Sequence, residues 1–286
     1  MARVGFVGLG VMGGPMAMHL ANSRAPVTVY NRTASKTEPF RELGVPVAES
    51  LEELSSLCDV IFLCVGKSED VVECLHAMLP TALPGTLFVD HSTISPAVAR
   101  GLHAELREAG HDFVDAPVTG GSMGAQKGQL TVFCGGDEAP VVKAINAMQP
   151  YTKRAERVGE SGAGQMMKLA NQIAVGGALA ALCESLAFAK RAGLDLAQAR
   201  DMIGSGAGGS WTFENYGPKV LNEDWTPGSS IKNQRKDFRY CQEAAAELGA
   251  TIPATDLVDR LLAVLEGEGR GEDTTAALYE VLMRGA

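Results

Sequence analysis

Lys168 stands in GAGQMMKLANQ (162–172), at the head of a stretch that runs IAVGGALAALC (173–183) without a charge. On a helix, positions i, i+3 and i+4 share one face. Lys168, Asn171 and Gln172 therefore project together. A lysine works as an acid or a base when burial or a nearby cation lowers its pKa, and amides beside it can hold a reacting oxygen in line. These residues alone leave a second account open. Lys168 could snorkel to water while the amides bond neighbouring backbone. His91, in the DHST turn after a strand, is the rival proton carrier.

A second group has anion-binding chemistry. GLGVMG, which is Gly8, Leu9, Gly10, Val11, Met12 and Gly13, matches G-x-G-x-x-G between a first strand and a helix. Gly8 permits the tight turn, Gly10 lets backbone approach a pyrophosphate, and Gly13 lets the helix pack close. Phosphate then lies on free N–H groups at a helix N-terminus. The end of the second strand reads YNRTASK, with Asn31, Arg32 and Thr33 and no acid. An acid there would bond the ribose hydroxyls and repel a 2′-phosphate. Arg32 can instead pair with that phosphate and Thr33 can donate to it, so NADP is expected over NAD. Thr119, Gly120 and Gly121 offer a hydroxyl and flexible backbone amides, a turn able to nest a carboxylate. Asp115 reads as structural. Trp211 and Phe238 read as core packing, and as pocket walls only secondarily.

These groups need a frame. Strands are expected at 2–8, 27–31, 59–65, 85–92, 111–118 and 129–136, with helices at 12–23, 69–79 and 96–109 between them. Strands alternating with helices predict a parallel sheet covered on both faces. After about residue 160 the pattern turns helical: one long helix over 165–192, then 195–204, 235–248, 254–266 and 273–284. GSGAGGSW (204–211) reads as a loop. The predicted fold is an α/β Rossmann domain over 1–160, followed by an all-α domain over 161–286 that holds substrate and builds oligomers. The reactive groups are expected in a cleft between the two halves.

The 286 residues carry a net charge of −9, and 46% are hydrophobic. An acidic balance argues against nucleic acid as a partner. The six cysteines form no CxxC pair and no metal cluster with histidine, which suits free thiols in a reducing cytoplasm. MARVGFVGLG reads straight into a strand and a glycine turn, so no signal peptide is expected. The uncharged run 173–183 is 11 residues, short of the roughly 18 that a membrane span needs, so no membrane is expected.

The motifs resemble those of the β-hydroxyacid dehydrogenases along essentially the whole chain. GFVGLGVMGGPMAMHL (5–20) is similar to that family's cofactor motif, DAPVTGG (115–121) to its substrate motif, GAGQMMKLANQ to its catalytic motif and RKDF (235–238) to its late Lys-Asp motif. The resemblance implies Lys168 as catalytic acid/base with Asn171 as its amide partner and Gln172 beside them. It implies Thr119 in place of a substrate-binding serine, with Gly120 and Gly121 matching. It implies cofactor contacts from Thr93 and from Lys236. CVGKSED (64–70) departs from the family's frequent Leu-Pro, which weakens the assignment of nicotinamide-side contacts to Val65 and Gly66. Asp237 would orient its neighbours. The implied reaction interconverts a small β-hydroxy acid and its semialdehyde or keto acid, in a homodimer or homotetramer. A reductase of glyoxylate or succinic semialdehyde is the near alternative. Imine reduction and a lysine-free binding module fit less well, because Lys168 is present.

Overall fold

The computed structural model describes residues 2–284 apart from Arg24 and Pro227. The chain divides into two compact units, Met1–Lys168 and Leu169–Ala286. The boundary falls inside one helix, Ala163–Arg191.

In the first unit, eight strands form one sheet: β1 (Val4–Val7), β2 (Val27–Tyr30), β3 (Val60–Leu63), β4 (Leu87–Asp90), β5 (Asp112–Asp115), β6 (Val118–Thr119), β7 (Leu130–Gly135) and β8 (Thr152–Gly159). Their order is β2-β1-β3-β4-β5-β7-β6, with β8 paired to β7. Every residue of β1, β3 and β4 is buried, as expected for strands covered on both faces. Alternate side chains feed two cores. Val60 and Phe62 join Met16, Leu20 and Tyr151 on one side, while Ile61 and Leu63 join Leu54, Leu75 and Leu102 on the other.

The sheet is not parallel throughout. β1 to β5 pair in parallel, but β7 runs antiparallel to β5 and to β6. β6 and β8 were not expected. β6 is only two residues long. β8 reads TKRAERVG, and its charges suit a strand that pairs on one side only, where they deter edge-to-edge association.

The second unit is helical. It comprises 169–191 of the long helix, then Leu196–Gly204, Trp211–Leu221, Ile231–Leu248, Pro253–Gly267 and Leu278–Arg284. Asp195 accepts from the Gln198 N–H and opens its helix as expected. Trp211–Leu221 was not expected, because Gly217-Pro218 in its interior reads as a break. Its start is fixed by Ser210, whose Oγ accepts from the Phe213 N–H. Ile231–Leu248 begins four residues before the expected 235, and the final helix begins at 278 after a short 3-10 turn. Trp211 is not core: it is 45% exposed and meets Tyr216 edge-on. Phe238 is fully buried.

By length and composition Ala163–Arg191 could cross a membrane. Within the second unit, however, its residues Leu179, Leu182, Cys183 and Leu186 are buried, and such a core helix meets the same criteria.

Candidate functional site

The C-terminal ends of β1 to β4 lie side by side and lead into the segments 8–13, 31–33, 65–66 and 92–93. This is the edge where open α/β sheets bind ligands. Gly8 adopts φ +95°, and a Cβ there would sit 2.3 Å from the Cys64 carbonyl oxygen. A Cβ on Gly13 would sit 1.9 Å from the Gly8 carbonyl oxygen, so only glycine lets the helix Gly13–Asn22 start so close to the strand. At Gly10 a Cβ would meet nothing within 4 Å, so the backbone there faces open space. No side chain caps the helix. An uncapped, approachable N-terminus suits a dinucleotide pyrophosphate, and the loop therefore fits the cofactor that the motif implies.

Asn31 has a role that its position alone does not reveal. Its Oδ1 accepts from the Leu9 N–H at 2.8 Å, and its Nδ2 donates to the Thr33 carbonyl at 2.9 Å. The amide thus ties the glycine loop to the end of β2. The Leu9 side chain is in the core, while Val11, Arg32 and Thr33 are exposed. Among the described residues Arg32 makes no ion pair. The Val65 N–H donates to Ser92 Oγ, and the Ser92 N–H donates to Asp90 Oδ1. Gly66 abuts the Asp70 carboxylate, which also accepts from the Lys67 N–H.

Thr119 ends β6, half-buried and paired with Thr131 on β7. Gly120 and Gly121 both have positive φ, +127° and +63°, and turn the chain into Gly121–Gln126. His19, on the helix of the glycine loop, donates to the Gln126 carbonyl. The helices that follow the substrate motif and the cofactor loop are therefore bonded to each other within one unit.

The lysine-bearing helix starts on β5. Asp115 is fully buried, and its carboxylate accepts from the N–H groups of Gly162 at 2.7 Å and Gln165 at 2.9 Å. Burial pushes its pKa up to about 6, against these N–H donors that favour the anion. Lys168, one turn further on, is only 8% exposed.

In the second unit, Asn171 and Gln172 begin a polar chain. Gln172 Nε2 donates to Asp237 Oδ2 at 2.8 Å, and Asn171 Nδ2 donates to Gln172 Oε1 at 3.1 Å. Lys236 Nζ lies 3.2 Å from Asp237 Oδ1 and 5.7 Å from the Tyr240 ring centre. A carboxylate only accepts, so Gln172 must turn its NH₂ to Asp237 and its carbonyl to Asn171. Asp237 thereby orients both amides. Gln165 and Ser92 are the positioning groups that motif reading misses, while Asn31, expected at the cofactor, also braces the glycine loop. Only the i−3 spacing of Gln165 from Lys168 signals one of them.

His91 is excluded as a proton carrier. Its Nδ1 faces the Ala116 carbonyl at 2.7 Å, which can only accept, so Nδ1 carries the hydrogen. Its Nε2 then accepts from the Tyr151 hydroxyl at 2.9 Å, and the ring stacks on Phe62. Burial pulls its pKa down to about 4. Among the described residues no cluster of His, Cys, Asp and Glu could hold a metal ion.

Residues 3–159 match the family described as the NAD-binding domain of 6-phosphogluconate dehydrogenase. Residues 162–282 match the NAD-binding domain of NADP-dependent 3-hydroxyisobutyrate dehydrogenase. The chain belongs to the β-hydroxyacid dehydrogenase family. It is 35% identical over 286 residues to a probable 3-hydroxyisobutyrate dehydrogenase-like protein of Arabidopsis thaliana, covering 99% of this chain and 85% of that one. It is 32% identical to 2-hydroxy-3-oxopropionate reductase of Escherichia coli, covering 98% and 97%. The solved 3-hydroxyisobutyrate dehydrogenase of Mycobacterium tuberculosis, with L-serine, superposes with a TM-score of 0.89 at 29% identity over 99% of both chains. This family member is thus an NAD(P)-binding oxidoreductase acting on hydroxy acids.

The buried imidazole has a consequence for stability. A folded-state pKa below the ordinary 6.5 means that unfolding takes up a proton as the medium acidifies. The stability linked to His91 is complete above 6.5 and is lost as pH falls toward about 4, by an amount on the order of 2–3 kcal/mol at the acid end. The raised pKa of Asp115 acts with the opposite sign in the same window, so the His91 term is read as a difference. The urea midpoint of His91→Phe, relative to wild type, should rise as pH falls from 6.5 toward 4. A constant difference between the two proteins would remove His91 from the pH dependence.

Proposed function

We propose that the protein is an NADP-preferring dehydrogenase that interconverts a small β-hydroxy acid and its semialdehyde or keto acid, with Lys168 as the general acid/base. The observation that carries this reading is a buried lysine on a helix turn fixed at its start by Asp115. A bound nicotinamide supplies the hydride acceptor for oxidation and the donor for reduction. Lys168 Nζ takes the hydroxyl proton in one direction and returns it to the carbonyl oxygen in the other. Asn171, one turn along, holds that oxygen in line, with its amide oriented through Gln172. Thr119 Oγ1 and the N–H groups of Gly120 and Gly121 receive the carboxylate. Arg32 and Thr33 take the 2′-phosphate, and Val65, Gly66, Thr93 and Lys236 contact the rest of the dinucleotide. The name of the E. coli relative favours semialdehyde reduction as the working direction.

A panel of small β-hydroxy acids and semialdehydes, assayed with both cofactors, tests the reaction and its direction. Within it, Lys168→Ala should lower turnover by about 10²–10⁴ and leave NADP affinity intact. Lys168→Arg keeps the charge but cannot give up its proton, so it should be nearly as slow. An arginine variant with near-normal turnover would leave Lys168 as an anion anchor only.

Cofactor choice is tested separately. A charge-assisted hydrogen bond is worth roughly 1.5–3 kcal/mol, so Arg32→Ala should weaken NADP binding about 10- to 150-fold and spare NAD. Equal losses with both cofactors would place the effect in folding.

We also propose a homodimer or homotetramer. In the second unit a groove of about 830 Å³ runs between the long helix and Leu196–Gly204, lined by Phe188, Leu194 and Met202 among others. These three side chains are 73%, 57% and 69% exposed, which suits an apolar face covered by a second copy. Light scattering should give at least a dimer, and Phe188→Glu should dissociate it. A wild-type monomer at assay concentration would remove this proposal.

A further inference from the structure

Gln165 has no part in the chemistry above, yet its side chain is wholly buried, with both its nitrogen and its oxygen bonded. Its Nε2 donates to the Ser92 carbonyl at 2.8 Å, and its Oε1 accepts from the Ile94 N–H at 3.1 Å. These two groups flank Thr93. The main-chain N–H of Gln165 donates to Asp115. Segment 92–94 is held from its other side too, through Asp90 to the Ser92 N–H and through Ser92 Oγ to the Val65 N–H. Gln165 and Lys168 lie three residues apart, on one face of one turn.

We infer that Gln165 is a positioning residue, which locks the lysine-bearing turn to segment 92–94 and so fixes where Lys168 Nζ stands. The inference rests on the reading of Lys168 as the proton carrier. A primary amide suits the task because the segment presents one acceptor and one donor, and an amide meets both without adding a charge. An apolar side chain would leave both groups unpaired in the interior. The turn would keep its main-chain bonds to Asp115 and lose both side-chain bonds to segment 92–94.

The test is Gln165→Met, which fills a similar volume and makes neither bond. Turnover should fall about 10- to 100-fold, the scale of a misplacement of about 1 Å. The KM for the acid and the Kd for NADPH should change by less than about threefold, because the loss falls on the proton-transfer step rather than on binding. On a Lys168→Ala background the same change should add little, since residues acting as a unit are not additive. If the methionine variant does not fold, Gln165→Glu should keep turnover while its carboxyl is protonated, since the acid then donates to Ser92 and accepts from Ile94. It should lose turnover as pH rises and the acid ionises. A Glu variant whose turnover follows the wild-type pH profile overturns the inference. Wild-type turnover in a folded methionine variant overturns it as well. So does an undiminished loss on the Lys168→Ala background, which would mean that Gln165 acts on segment 92–94 alone. Full turnover in Lys168→Ala by itself would remove the proton-carrier reading, and this inference with it, independently of any Gln165 variant.

Discussion

The Asp115 carboxylate, buried beneath the first N–H groups of the long helix, is the contact on which the lysine's placement depends. A buried carboxylate is costly unless donors surround it. Here the donors are the otherwise unpartnered amides of a helix N-terminus, and the helix dipole adds to them. The rise of its pKa to about 6 shows that these donors offset burial only in part. The surroundings are fitted to this one group. A Cβ on Gly135 would lie 2.6 Å from its Oδ1, and one on Gly164 would lie 2.7 Å from its Oδ2. Strand, carboxylate and helix start are therefore one piece.

How much of this was legible depended on whether one local signal dominated. β1, β3 and β4 are short apolar runs buried throughout, and their positions were readable. The glycine loop was readable because strand, turn chemistry and helix agreed. β8 was not, because an edge strand rich in Lys, Arg and Glu carries no hydrophobic signal. Trp211–Leu221 was masked by Gly217-Pro218, where tertiary packing overrides local propensity. The antiparallel turn of β7 was hidden because strand direction is set by long-range pairing, which an alternating pattern of strands and helices does not encode.

In the candidate site, the common face of Lys168, Asn171 and Gln172 followed from helical spacing alone. What orients that face did not. Asp115 and Asp237 reach it from 53 and 66 residues away from Lys168 and Asn171 in the chain, and no spacing rule connects them. Residue type misled at His91. Imidazole is a common base, but its two nitrogens are occupied by Ala116 and Tyr151 inside the core.

Asn31 separates two tasks that dinucleotide sites often merge. Its amide joins the glycine loop to the second strand, using only main-chain groups of Leu9 and Thr33. The side chains at 32 and 33 lie outside that brace, exposed. The brace makes no demand on which side chains stand there. A lineage can therefore exchange them without rebuilding the glycine loop, and drift at these two surface positions is a short evolutionary step.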